Sequence, residues 1–569
     1  MKIRRSRNKT NKKNVFIQSL KKYCQQSSLH GWQYLSSEEG IIKKLIWFMV
    51  IIVHYALASY FVWNNCNQFT KAKPITTIES TTSSLDDIDF PTVTVCNLNT
   101  VRKSFLREIG VEEKKIKLVL EEFATGRKTN STSNQDQESV EDVTRKFEKY
   151  YKDYEERSGY HVGHIFHASH QPCRDMIVKV NWSDKPSESF YDSMTIQTEY
   201  GNCCWIPPYL YFEDDRENLE EMTTQEWLSI PKGFASNGLQ NGLTLTMDLE
   251  KFDHSVIWDS IGFVVGLSQP NTVALMKNEG INVSPGFLSK IAVMPVTTST
   301  TQEAIDNFDP IDRNCYTDSE VELKYTPREH GYRYSLQNCM LSAMLDKLIK
   351  ECQCLTHMNY EETQKWNPDL KSCKGPTELA CANSIMSKIG SIKLGLNATD
   401  INNVTVPCLE RCDSQENNIF MSQLIYPHKK HFQNHEDLCL IMEKIAKICS
   451  DPHRKEVFEK HYKNDPTCQE FIDYYLAKNE TCGNEISLDI GGEDEKFEKF
   501  YLRYAEENLS KIAVYLKNPY HTSIIKDVKI TLTDFVSNTG GLMGLYLGLS
   551  FISVFELIYH FIKYFSNSY

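Results

Sequence analysis

What this chain lacks narrows it first. No repeat of fixed period runs through its 569 residues, and no long linker divides them. Positive charge is in deficit: 63 Lys and Arg stand against 75 Asp and Glu, a net of −12. That balance excludes a typical nucleic-acid binder. Apolar residues make up only 41% of the chain, too little for a polytopic membrane protein and too much for a disordered one. The 18 cysteines include no C-x2-C pair, so zinc does not explain them. No G-x-S-x-G, H-E-x-x-H or Walker A sequence occurs, and His435-Glu436 lacks its second His. The chain therefore reads as no enzyme, with no cofactor and no metal.

Two uncharged runs stand out. Leu45–Trp63 and Phe535–Phe555 are 19 and 21 residues long. At 1.5 Å per residue they extend roughly 28 and 32 Å, close to the ~30 Å hydrocarbon core, and both read as transmembrane helices. Residues 1–44 carry 11 Lys and Arg against Glu38 and Glu39, which places them in the cytosol. Two spans return the C-terminus to the same side. The intervening 64–533 carries 51 basic and 71 acidic residues, an acidic exterior of −20. The expected organisation is a cytosolic 1–44, a first span at 45–64, an extracellular 65–533, a second span at 534–560 and a cytosolic 561–569.

Other features agree with an exterior location. Glycosylation sequons stand at Asn130, Asn181, Asn282, Asn397, Asn403, Asn479 and Asn508. Sixteen cysteines lie from Cys96 to Cys482, an even number suited to disulfides, with Cys24 and Cys66 left over. Helical spacing marks about 101–160, around a polar stretch at 129–138. Strand-like alternation marks 242–250, 260–268, 287–298 and 507–518. The helical period returns from Tyr334. The fold class is thus an α+β membrane protein, with a central sheet and peripheral helices outside. His161, His164, His167 and His170 recur every three residues and spread over half a helix circumference. They read as exposed polar residues, of which two or three can share a metal or sense pH.

Specific segments carry a resemblance. His30-Gly31 precedes the first span, FPTVTVCNLN stands at 90–99, INVSPGF at 281–287 and CQCLTHM at 352–358. SNTGGLMGLYLGLSFISVFEL follows at 537–557, with Gly548-Leu549-Ser550 as a G-x-S tripeptide. In this order, between these spans, the set resembles the degenerin/epithelial sodium channel family, which includes the acid-sensing channels. The resemblance implies a trimer of identical or related subunits, conducting Na+ with Ca2+ as a second permeant ion. It implies a selectivity filter at Gly548, Leu549 and Ser550, and gating roles for His30, Gly31 and Ser537. An amiloride contact falls at Gly544. Acidic rings at Asp534 and Glu556 favour cations. The glycines 540, 544 and 548 also form a small-residue stripe suited to close helix packing.

The family's thumb cysteines pair as nested bridges. Here the thumb-like region spans about 315–412, and two absent cysteines fall at Ala343 and Val406, which would be partners. The resemblance thus implies Cys315–Cys412, Cys339–Cys408, Cys352–Cys381 and Cys354–Cys373. Upstream it implies Cys96–Cys203 and Cys173–Cys204, with 203 and 204 able to exchange roles. Cys439, Cys449, Cys468 and Cys482 belong to an insertion at about 433–490 and pair among themselves. The His pair of acid-sensing relatives is replaced by Ile75 and Thr76, and Asp312 stands at the place of their wrist Trp. Gating by an extracellular neuropeptide, as in the cnidarian branch, is the expectation. Acid or mechanical gating is the alternative, and a two-span receptor or ectoenzyme without a pore the remote one.

Overall fold

The structure is a computed structural model. It describes residues 20–37, 40–113, 169–182, 195–206, 237–255, 260–270, 272–326, 332–355, 397–400, 402–429, 436–478 and 495–568, with isolated residues between these stretches. Asn130, Asn479, Cys482, His161, His164 and His167 lie outside them. The chain divides into two compact units. Residues 1–77, 300–313 and 526–569 form one, and residues 78–299 and 314–525 the other.

The first unit is built on one long helix, Ile41–Lys71. Its apolar side chains cover every face and mostly stay exposed, as lipid-facing helices require. Among the described residues it is the one helix long and apolar enough to cross a bilayer by itself. It extends well past the expected 45–64. The second span, expected as one helix over 534–560, is interrupted. Helices Leu532–Leu547 and Phe551–Ser568 meet at a 61° bend and reach spanning length only as a pair.

Among the described residues the second unit holds two large sheets and two short strand pairs, Cys315–Tyr316 with Glu410–Arg411 and Asn397–Thr399 with Thr405–Pro407. In the larger, neighbouring strands follow the order Ile75–Ser84, Tyr520–Asp527, Phe287–Thr300, Leu509–Leu516, Leu243–Asp248, Ile177–Trp182 and Lys185–Pro186. Ser414–Ile425 also pairs with Phe287–Thr300. The smaller runs Thr195–Thr198, Gly201–Ile206, Thr92–Asn97, Phe263–Ser268 and Ile281–Val283. Alternate residues of both sheets, among them Val93, Val95, Leu243, Leu245, Met247, Ile512 and Val514, enter one apolar core. The two-residue period of a strand puts them all on one face, which is why the alternation is visible in the sequence.

Helices flank the sheets. Leu336–Lys347 starts where the Ser335 hydroxyl accepts the Asn338 N–H, and it continues as a π-helical turn to Cys352. The expected insertion is a helical bundle: Glu436–Ser450, Pro452–His461 and Cys468–Lys478 pack with Glu495–Asn508. Asp451 caps the second of these, accepting the N–H groups of His453 and Arg454, with Pro452 at the first position. Phe497, Phe500, Tyr501 and Tyr504 recur at helical spacing and stack with Phe458, Tyr462, Phe471 and Tyr474 in its aromatic core.

Candidate functional site

The break between helices Leu532–Leu547 and Phe551–Ser568 is encoded by a helix stop followed at once by a helix start. Gly548 takes the left-handed conformation, φ +66°. Its N–H donates to Gly544 O at 2.9 Å, and the Leu549 N–H to Met543 O at 3.3 Å. This is how glycine closes a helix C-terminus. Two residues on, the Ser550 N–H donates to Ser553 Oγ at 3.1 Å while the Ser553 N–H donates to Ser550 Oγ at 3.3 Å. That reciprocal pair is a capping box built from serines. The N–H groups of Gly548, Leu549, Ser550 and Ser553 all find partners within the break.

The segment before the first span closes on this break. The His30 N–H donates to Leu547 O at 2.9 Å, taking up a carbonyl that the broken helix leaves open. The Ser28 N–H donates to Glu556 Oε2 at 3.1 Å. The Ser28 hydroxyl lies 3.1 Å from the same oxygen and 2.6 Å from Ser553 Oγ. Gly31, at φ +81°, turns the chain against Ile51 of the long helix, where a Cβ would sit 3.0 Å from Ile51 Cγ1. Tyr34 stacks on Trp47 at 4.1 Å, and Tyr23 meets His560 edge-on at 5.4 Å. His30, Gly31, Gly548, Leu549, Ser550 and Glu556 are therefore gathered in one place. Sequence reasoning did not find Ser28, and it noted Ser553 only as a polar residue unlike a plain anchor's.

Higher up, Asn65 of the long helix donates to Thr539 Oγ1 at 2.8 Å and to Phe535 O at 3.4 Å. Phe61 stacks on Tyr546 and Phe69 on Phe535. Asp534 closes a capping box: its carboxylate accepts the Thr531 N–H at 3.2 Å and hydroxyl at 2.8 Å. Ser537 is exposed in the single chain, Gly544 is half-buried, and the space beside Gly540 and Gly541 is open. Among the described residues no group of three His, Cys, Asp or Glu could hold a metal. The break instead collects the hydroxyls of Ser28, Ser550 and Ser553, the Gly548 carbonyl and the Glu556 carboxylate.

In the second unit the sulfurs of Cys96–Cys203, Cys173–Cys204, Cys315–Cys412, Cys339–Cys408, Cys352–Cys381 and Cys354–Cys373 are bonded. In the bundle Cys449 bonds to Cys468, and Cys439 is also disulfide-bonded. Cys24 and Cys66 are free. Ala343 and Val406, where the thumb cysteines are absent, belong to one apolar cluster with Cys339 and Cys408. Asn282, Asn397 and Asn403 are exposed and Asn181 is half-buried. Asn508 corrects its expectation as a glycan site. It is fully buried, its Oδ1 accepts the Lys251 N–H at 2.6 Å, and its amide donates to Tyr504 O at 2.8 Å. A sugar on that nitrogen has no room in the folded chain. His170 corrects its expectation as an exposed residue: it is buried, with Nε2 3.1 Å from Tyr200 O.

A buried ionic network ties the helical bundle to the sheet. Lys444 meets Asp248 at 2.8 Å and Glu250 at 3.0 Å, and Arg454 meets Glu250 at 2.6 Å and Asp175 at 3.2 Å. The Tyr504 hydroxyl donates to Asp248 at 2.9 Å. Burial raises the Glu250 carboxyl, but Arg454 and Lys444 outweigh it and hold the group down at about 2. Asp253 accepts the Ser104 N–H at 2.6 Å and hydroxyl at 2.5 Å. Burial pushes it up to about 6, with Glu250 adding and Ser104 opposing. Burial lowers His254 to about 4.

Residues 23–560 match the family model described as amiloride-sensitive sodium channel. The chain is 23% identical to Pickpocket protein 28 of Drosophila melanogaster over 568 residues, which is 95% of this chain and 77% of that protein. It is 21% identical to acid-sensing ion channel 1A of Danio rerio over 60% of this chain and 62% of that one. With acid-sensing ion channel 1 of Gallus gallus the identity is 19%, over 63% of each. The chain thus spans less than two thirds of the two acid-sensing relatives.

Proposed function

The chain belongs to the amiloride-sensitive sodium channel family, a family of ion channels, and on that premise we propose that it is a subunit of a ligand-gated cation channel of the plasma membrane. One observation carries the reading: the second span is broken at Gly548-Leu549-Ser550 by its own capping signals, with the His30-Gly31 loop seated on the break. A plain membrane anchor needs neither. Two helices per chain cannot enclose water, so the channel is an oligomer; the family resemblance makes it a homo- or heterotrimer with both termini cytosolic, and Gly548, Leu549 and Ser550 line its narrowest part. Asp534 and Glu556 place carboxylates at either end, Ser537 acts in gating and Gly544 meets amiloride. Na+ passes, and Ca2+ with it, because Leu549 departs from the smaller residue of many relatives.

The gate answers an extracellular peptide. The acidic exterior of −20 draws cationic peptides within the Debye length of ~8 Å at physiological salt. A second reading, acid modulation, is favoured by Asp253, a buried carboxyl held at about 6. Voltage clamp of oocytes expressing the chain, alone and with related subunits, separates these. Amiloride-blockable Na+ current evoked by amidated basic peptides supports the first. Current evoked only by acid or stretch replaces the peptide with that stimulus. Silence under all stimuli in every subunit combination rejects the channel.

A further inference from the structure

We infer that Ser28, in the segment before the first span, is a positioning residue for cation selectivity. It fixes the Glu556 carboxylate beside the break. The inference rests on the channel reading and adds a residue to it.

The argument starts from Glu556. It lies about one and a half turns into the lower half-helix, six residues past Ser550, and an unrestrained glutamate there would sweep its carboxylate through several rotamers. In the structure one oxygen, Oε2, faces both the N–H of Ser28 at 3.1 Å and its hydroxyl at 3.1 Å. The same hydroxyl is 2.6 Å from Ser553 Oγ. Ser553 Oγ in turn takes the Ser550 N–H at 3.1 Å and lies 3.4 Å from Gly548 O. A continuous hydrogen-bonded chain therefore runs from the Ser550 N–H through the Ser553 and Ser28 hydroxyls to the carboxylate. Hydrogen bonds to a charged acceptor are the stronger kind, and they leave the second oxygen, Oε1, free for other partners.

The consequence concerns selectivity rather than folding. A carboxylate held at fixed distance from the break imposes one oxygen spacing on a partly dehydrated ion. A mobile one adjusts to Na+ and K+ alike. Removing the Ser28 hydroxyl also leaves the backbone N–H in place, so the carboxylate is loosened rather than released.

The test is the Na+/K+ permeability ratio, read from reversal potentials at matched surface expression. Ser28→Ala is expected to lower the ratio roughly two- to fivefold, the scale set by one charge-assisted hydrogen bond only partly lost. Ser28→Thr keeps the hydroxyl and retains the parent ratio. In a Glu556→Gln background, Ser28→Ala adds no further change. If Ser28→Ala fails to reach the surface, Ser28→Cys keeps the volume with a weaker donor and is read in the same way. A parent that conducts beside an alanine or cysteine variant with an unaltered ratio overturns the role of Ser28 and leaves the channel reading intact. A parent silent under every stimulus and pairing overturns that reading itself.

Discussion

Gly548 and His30 leave no room between them for a methyl group. A Cβ on Gly548 would stand 2.6 Å from His30 Cδ2 and 2.8 Å from the Ser28 carbonyl oxygen. The first clash could be relieved by moving a side chain; the second is with backbone. The left-handed φ adds a further cost of about 1–2 kcal/mol for any L side chain. Gly548→Ala should therefore unseat the segment before the first span, and Gly548→Ala with His30→Ala should not restore it. Current amplitude and permeability ratio at matched surface expression check this. Recovery of parental selectivity in the double variant would show that the carbonyl contact is unimportant.

Lys444 neutralises two carboxylates buried beside it. Lys444→Met would leave Asp248 and Glu250 buried without the ammonium they share, with Arg454 and Arg102 still acting on Glu250. Losing one partner of a buried ion pair costs about 3–5 kcal/mol. The expected outcome is retention in the secretory pathway, measured by surface biotinylation. Asp248→Asn in the same chain should recover part of the surface signal.

Asp253 gives a pH-dependent expectation with a definite sign. Its folded pKa of about 6 lies above the ordinary carboxyl value near ~3.9, so the fold binds the proton more tightly than the unfolded chain does. Its contribution to stability is greatest at low pH and is lost as pH rises through about 6. Asp253→Asn, which keeps both contacts to Ser104, should stabilise the purified protein by about 1–3 kcal/mol at neutral pH and by little near pH 4. Burial of His254 tilts the parent the other way over the same range. The quantity to measure is therefore the difference in melting temperature between variant and parent. A difference independent of pH would remove Asp253 from the titration.

Glycan occupancy should follow exposure. Asn282→Gln, Asn397→Gln and Asn403→Gln are each expected to raise gel mobility by one glycan step. Asn508→Gln should change no glycan. It should instead lower stability by about 1–3 kcal/mol, because the Lys251 N–H is left without its acceptor. Mobility before and after enzymatic deglycosylation decides between the two effects.

Much of this was legible because the physics is local. The strand-like runs GLTLTMDLE and SIGFVVGLS are both strands here, though nearly every residue of each is buried, on both faces rather than one. The even count of cysteines from Cys96 to Cys482 likewise anticipated bonds: the four nested thumb pairings and the two upstream ones, with Cys203 and Cys204 in the order first given, are all formed, and Cys449–Cys468 forms besides. The break at 548–550 was missed for a physical reason. Uncharged residues at glycine spacing read as one lipid-exposed helix, and hydropathy does not sense capping. The signal lay in Gly548 followed by Ser550-x-x-Ser553, a stop and a start in six residues. The bundle was missed because its charges and cysteines drew attention away from its period. The Asp451-Pro452 cap and the Phe497, Phe500, Tyr501, Tyr504 face announce helices. Ser28 could not be read at all, since its partners lie more than 500 residues away.

The kink separates frame from bore. Positions 548, 550 and 553 hold the bend through a left-handed glycine and two hydroxyls, while Leu549 contributes to it only a backbone N–H. In the proposed channel the side chain at 549 can therefore drift, one codon at a time, while the joint that carries it stays as it is.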